Sequence, residues 1–169
     1  MNNNFRIIDT IKMILLKGRK PMEERIKLMG EVVLELRRKG VVIERQELKN
    51  LIVNTGKERV AKLINGVDSP TSFGYIAIGE GTTSPTANDT ALESEVTRAS
   101  ATKSYNSYKA VYEYTFSFSS GESYAITEAG IFDDAIASGS TMLNRLTFSA
   151  KNVDSDTDLY IKISITVSV

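Results

Sequence analysis

The sequence predicts a mainly β chain with an α-helical N-terminal segment, its body an antiparallel β-sandwich or jelly-roll-like domain. Three observations carry this. First, residues 159–169 alternate without a break, with Leu159, Ile161, Ile163, Ile165, Val167 and Val169 on one side and Tyr160, Lys162, Ser164, Thr166 and Ser168 on the other. Such a period-2 run is a strand with one buried and one wet face. Second, several more short runs follow one another between turn residues after Val67, the pattern of an antiparallel all-β unit. Third, residues 5–17 instead carry helical spacing, with Phe5, Ile8, Ile11 and Leu15 on one stripe.

The elements follow in order. Residues 1–29 form a basic, mainly helical arm; Gly18, the basic residues after it and Pro21 end its first helix, and a short helix over Met22–Leu28 is a second candidate. Residues 30–66 form a hairpin and a short helix joined to the core. Met22, Ile26, Met29, Val33 and Leu36 also fit helical spacing, but the β-branched density at Val32, Val33, Val41, Val42 and Ile43 favours strands over 30–37 and 41–53. Residues 56–65 are helical, with Thr55 as cap and Gly66 as stop. Residues 67–169 form the antiparallel domain. Its strands are Phe73–Ile78, Tyr108–Ser119, Ser123–Phe132, Thr141–Ala150 and Leu159–Val169, with a long turn-rich loop over 79–90 and a helical turn over Thr90–Val96 that carries Leu92.

Composition narrows the chemistry. The 169 residues include no cysteine and no histidine. That excludes disulfides, thiolate metal sites, Ser-His and Cys-His nucleophiles and the common zinc and haem ligand sets. At this length about 70% of the unfolded surface is buried, so no covalent staple is needed. No apolar run is long enough to span a bilayer, and the start lacks the pattern of a signal peptide. The net charge is zero yet unevenly placed, with 15 Lys+Arg against 8 Asp+Glu in residues 1–66 and 6 against 13 in residues 67–169. A basic front and an acidic back suggest head-to-tail association between copies, or simply two solvated surfaces of different composition. Nucleic acid is not an expected partner, because the basic residues are interleaved with acidic ones and Phe5 is the single aromatic among them. A membrane is not expected either, since Asp9 interrupts the basic face of the first segment.

Individual motifs point the same way. Gly79-Glu80-Gly81 lacks the third glycine and following helix of a dinucleotide site, so its glycines serve tight turns. Asp154-Ser-Asp156-Thr-Asp158 begins like a calcium loop but has Leu159 and Ile165 where Gly and Glu are required. It reads as an Asx-rich turn, with a looser oxygen-ligand site as the alternative. Glu128 falls, on strict alternation, on the face of Tyr124 and Ile126, where a buried carboxylate needs donors. Arg145, Arg98 or backbone N–H groups are the candidates, with Arg145 the structural pair, and Gly130 is a candidate bulge that resets the register. No catalytic residue, metal set or cofactor is expected.

Four segments in order carry a resemblance. They are Lys49-Asn-Leu-Ile-Val-Asn-Thr-Gly56; Tyr75–Leu92, which contains Ile-Gly-Glu-Gly-Thr-Thr-Ser-Pro-Thr, with Glu95 and Arg98 behind it; Ile126-Thr-Glu-Ala-Gly-Ile-Phe132; and Leu143-Asn-Arg-Leu-Thr-Phe148. Together they resemble a group of tailed-phage virion structural proteins over roughly residues 30–169, with Glu80 and Ile131 as small departures from the pattern. The resemblance implies a non-enzymatic β-sandwich module of the head (as a decoration), neck or tail, made in the host cytoplasm. Its partners would be other virion proteins and further copies of itself. Attachment would use Phe5, Ile8, Ile11 and Leu15 as apolar anchor and Arg6, Lys12, Lys17, Arg19 and Lys20 as polar rim. A carbohydrate- or receptor-binding module on a virion, using Tyr105, Tyr108 or Tyr160 as platform, is the second reading.

Overall fold

A computed structural model describes residues 25–168. Nine strands and one helix follow in order: β1 (Lys27–Arg38), β2 (Val41–Ile52), α1 (Asn54–Asn65), β3 (Tyr75–Gly79), β4 (Glu95–Ser100), β5 (Thr102–Asn106), β6 (Lys109–Phe116), β7 (Tyr124–Phe132), β8 (Met142–Val153) and β9 (Thr157–Ser168). The strands form a single antiparallel sheet in the order β4-β3-β7-β8-β2-β1-β9-β6-β5. The expected antiparallel β body is therefore present, and its sheet is nearly closed on itself. The helix expected over residues 5–17, and most of the arm, lie outside the described residues. Residues 27–29, assigned to that arm, are the first turnless stretch of β1; Leu28 is held opposite Val167 of β9, which also removes the helix expected over Met22–Leu28 from its last two positions.

Two corners turn the sheet. β2 pairs with β1 along most of its length but with β8 only at Leu51↔Arg145 and Ile52↔Asn144 among the described residues. On the other side, β4 pairs with β3, and after Ala101 the chain re-pairs as β5 with β6. Ala101 marks that corner, its N–H donating to the Gly74 carbonyl at 2.8 Å. Between the two curved halves lies the main core. Val32, Leu34 and Leu36 of β1 meet Leu159, Ile161, Ile163 and Ile165 of β9, with Ile76, Ile78, Ile126, Ile131 and Leu146 from the opposite half. The long alternation of the last strand is thus the central stripe of the core, and β9 sits between β1 and β6.

The outer face of the β1–β9–β6 half is polar and charge-laced. Glu35 is buried there between two guanidinium groups: Arg37 donates to it through Nε at 3.0 Å, and Arg45 forms an ion pair with it. The Arg37 hydrogen bond does most to hold the Glu35 carboxyl below its ordinary range. Tyr160 donates its hydroxyl to Glu113 at 2.5 Å, and the Arg37 guanidinium lies 4.1 Å from the centre of its ring. Burial, then the bond to Glu113, pushes the Tyr160 phenol up to about 12. Tyr160 is therefore covered on one face and engaged at its tip, unlike an open ligand platform.

Local departures from the sequence reading have physical causes. The hairpin over β1 and β2 forms as expected, with Lys39 and Gly40 at positive φ in its turn. α1 ends at Gly66 in the left-handed region, φ 70°. Its N-cap is Val53, not Thr55; the Thr55 hydroxyl instead donates to the Met142 carbonyl across the fold at 3.2 Å. Residues 90–94 do not form the expected helical turn, because the N–H groups of Glu93 and Ser94 donate to a carboxylate outside the segment. Residues 95–106 are strand on both sides of Ala101, which short length and weak alternation concealed.

Truncating a central core residue is the direct check on this arrangement. Ile161→Ala is expected to cost about 2–5 kcal/mol, read by chemical denaturation. Tyr160 supplies a second check, by absorbance titration. Because its folded value lies above the unfolded one, its contribution to stability is complete below about pH 10 and is lost as pH rises through about 12.

Candidate functional site

The second half of the molecule carries a loop on its outside. A β-bulge between Ile126 and Glu128 breaks the regular pairing of β7 with β8. Ile126 and Ala129 face the main core, so Glu128 is turned to the opposite face, beneath residues 79–94. The register is reset there and again between Ile131 and Phe132, rather than at Gly130. Glu128 is fully buried all the same, 0% exposed, and Arg145 is 3% exposed.

Every oxygen of that carboxylate is engaged. Arg145 donates through Nε at 2.9 Å to Oε2, and its Nη2 lies 2.8 Å from the same atom. The Glu93 N–H also donates to Oε2, at 3.1 Å. The Gly81 and Ser94 N–H groups donate to Oε1, at 3.1 and 2.7 Å. Arg145 reaches onward to Asp89 Oδ2 at 2.8 Å. Asp89 in turn accepts from the Thr86 N–H and hydroxyl, at 3.0 and 2.6 Å. Glu93 accepts from the Thr83 N–H and hydroxyl, both at 2.8 Å. The loop is thus wound around one guanidinium and three carboxylates.

Small residues make the close approach feasible. A Cβ on Gly81 would overlap the Glu128 carboxylate, and one on Gly79 the Ser94 carbonyl. Gly130 leaves room for Leu92, which lies with Val53, Ala77, Phe132 and Met142 in a second, smaller core between sheet and loop. The Asn-Thr-Gly at the start of α1 joins the same knot. Val53 donates its N–H to Leu143 and Asn54 to Ala87, at 3.1 and 2.8 Å, and a Cβ on Gly56 would run into the Leu143 backbone. Arg98, the other candidate partner of Glu128, forms a two-pronged pair with Glu95 at 2.7 Å and covers the Phe132 ring.

The structure therefore brings Glu128 and Arg145 together, as the sequence suggested. Asp89, Glu93 and Thr83 complete the set; Asp89 stood within a recognised segment, but nothing in its spacing marked it as a partner of Arg145, 56 positions away. The nine arm residues Phe5, Arg6, Ile8, Ile11, Lys12, Leu15, Lys17, Arg19 and Lys20 lie outside the described residues. The Asp154–Asp158 stretch is an Asx turn between β8 and β9: Asp154 Oδ1 accepts from the Asp156 N–H and the Thr157 hydroxyl, at 2.9 and 2.8 Å. Among the described residues no group of three or more acidic side chains is placed to hold a metal ion.

Chemically, the knot immobilises a long polar loop. A buried ion pair broken on one side leaves an uncompensated charge costing about 3–5 kcal/mol. Glu128→Ala and Arg145→Ala are each expected to fall in that range. Their double variant should cost clearly less than the sum, giving a coupling energy in a denaturation cycle. Acid supplies an independent probe. Burial raises the Asp89 carboxyl, but the Thr86 bonds and Arg145 outweigh it and hold the group below its ordinary value of 3.8. A depressed carboxylate stabilises the fold above its unfolded pKa and ceases to as pH falls through the folded one. Hydrogen exchange at Thr86, whose N–H donates to Asp89, is accordingly expected to stay protected from pH 7 to 5 and to lose protection only below about pH 4.

Neither a protein-family model nor a curated protein nor a solved structure matches this chain.

Proposed function

We propose that this chain is a non-enzymatic structural component of a tailed-phage virion, a head-decoration, neck or tail-associated protein made in the host cytoplasm. In this reading a β-sandwich, turned at its corners by β2 and by Ala101, is preceded by a helical arm. Arm and β domain together assemble with other virion proteins and with further copies. One observation supports it above the rest: the four segments that carry the family resemblance meet in a single knot. Gly81 and Asp89 from the second, Glu128 from the third and Arg145 from the fourth are joined through one set of bonds, and Asn54 from the first donates to Asn88, next to Asp89. Residues brought together from distant parts of a chain and spent on each other serve a shape. They leave the resemblance with a mechanical meaning, a rigid loop on a rigid sheet, as a building element requires.

Particles released from cells that carry the gene test this directly. After density-gradient purification and a high-salt wash, mass spectrometry is expected to find the chain at a fixed ratio to the other particle proteins. Its absence from washed particles overturns the proposal.

A further inference from the structure

The main core is left uncovered at one end. Along β9 the inner stripe passes from Ile163, fully buried, through Ile165 at 5% to Val167 at 44% exposed. Val167 stands opposite Leu28 and donates its N–H to the carbonyl of Tyr108, in the turn between β5 and β6. Beyond Leu28 lies Ile26, 73% exposed, and across the turn Tyr105 and Tyr108 are 83% and 78% exposed. The rows match across the whole half-sheet: Asn50, Gly30, Ile165, Ala110 and Tyr105 are cross-strand neighbours in turn. An apolar rim therefore runs over β1, β9, β6 and β5 at the end where the chain enters at Arg25. Exposed apolar groups gathered in one place mark an interaction surface.

We propose that this rim receives residues 5–17 of a second copy of the chain, an arm exchange between two molecules facing end to end. This rests on the structural-component reading above and names the surface through which copies join. The dimensions agree. At helical spacing the apolar stripe from Phe5 to Leu15 is about 15 Å long, and the four rim strands from β1 to β5 span about 14 Å. The seven residues 18–24 reach about 25 Å when extended. Direction selects the neighbour: β1 runs from the rim into its own sheet, so an arm continuing the line of that strand points away from its own domain. A facing copy lies along that path, whereas return to the same rim needs a reversal within those seven residues. Two facing copies each supply one arm and one rim, the self-complementary arrangement of a two-fold dimer.

Because the chain has no cysteine, engineered thiols report without background. Lys12→Cys lies at the middle of the arm and Val167→Cys near the middle of the rim, on its inner stripe, so the pair meets whichever way the helix lies. Mild oxidation of the full-length double variant is expected to give a covalent dimer on a non-reducing gel, with neither single variant doing so. Lys12→Cys with Lys39→Cys, in the turn at the far end of the half-sheet, is expected to stay monomeric. A fast-migrating cyclised monomer, no cross-link, or equal dimer with Lys39→Cys overturns the proposal. Solution mass gives a readout without substitutions: a dimer for the full chain and a monomer after removal of residues 1–20, whereas equal masses overturn it. Particle composition is measured separately, so a chain present in washed particles that fails these tests loses the rim as its joint while the virion reading stands.

Discussion

A carboxylate at the position of Glu128 has no access to water, and an ion there is tolerated only where protein groups replace the solvent it has lost. Here the replacement comes from one guanidinium and three backbone N–H groups. Much else follows from meeting that demand. The N–H groups belong to residues 81, 93 and 94, so both ends of the intervening loop are brought to the sheet. Gly79 and Gly81 are needed because the approach leaves no space for a Cβ. Arg145, once oriented by Glu128, carries a second bond outward to Asp89 and organises the loop's middle.

The knot also ties the two regions of opposite charge. α1, from the basic front of the sequence, touches the loop through Asn54 and Asn88 and the sheet through Thr55 and Met142. Arg59 of the same helix pairs with the buried Asp133 and donates to the Thr141 hydroxyl at 2.6 Å. Ion pairs of this kind fix a relative orientation more than they add stability. They set the helix against the start of β8, where the bulge at Leu143 needs a neighbour.

Long-period patterns in the sequence translated well into structure. The alternation of residues 159–168 is the core stripe of β9, and the β-branched residues around Lys39-Gly40 form the β1–β2 hairpin. Glu128 and Arg145 were recognisable because a charged residue inside an apolar strand demands a partner. What stayed hidden depends on a single inserted residue or on a bond across the fold. The bulge at Thr127 moves Glu128 to the opposite face, which alternation alone cannot reveal. The hydroxyl of Thr55 goes to Met142, so a local capping rule misplaces it. Residues 90–94 fail to form a helical turn because Glu128, over thirty positions away, takes the N–H groups of Glu93 and Ser94. β4 and β5 are short, polar and divided by a corner, with too few residues to show a period.

The pairing of β1 with β9 has a mechanical side. Their antiparallel register sets Lys27 beside Ser168 and Arg38 beside Thr157, and the ladder bonds lie perpendicular to both strands. Opposed tension at Lys27 and Ser168 would therefore open this ladder like a zip, one rung after another, beginning at the rim. Load entering at Lys27 of β1 and leaving at Thr157, the far end of β9, would instead run along both strands and shear many rungs together. A fibre or ring built from this domain withstands pull in the second geometry and yields in the first.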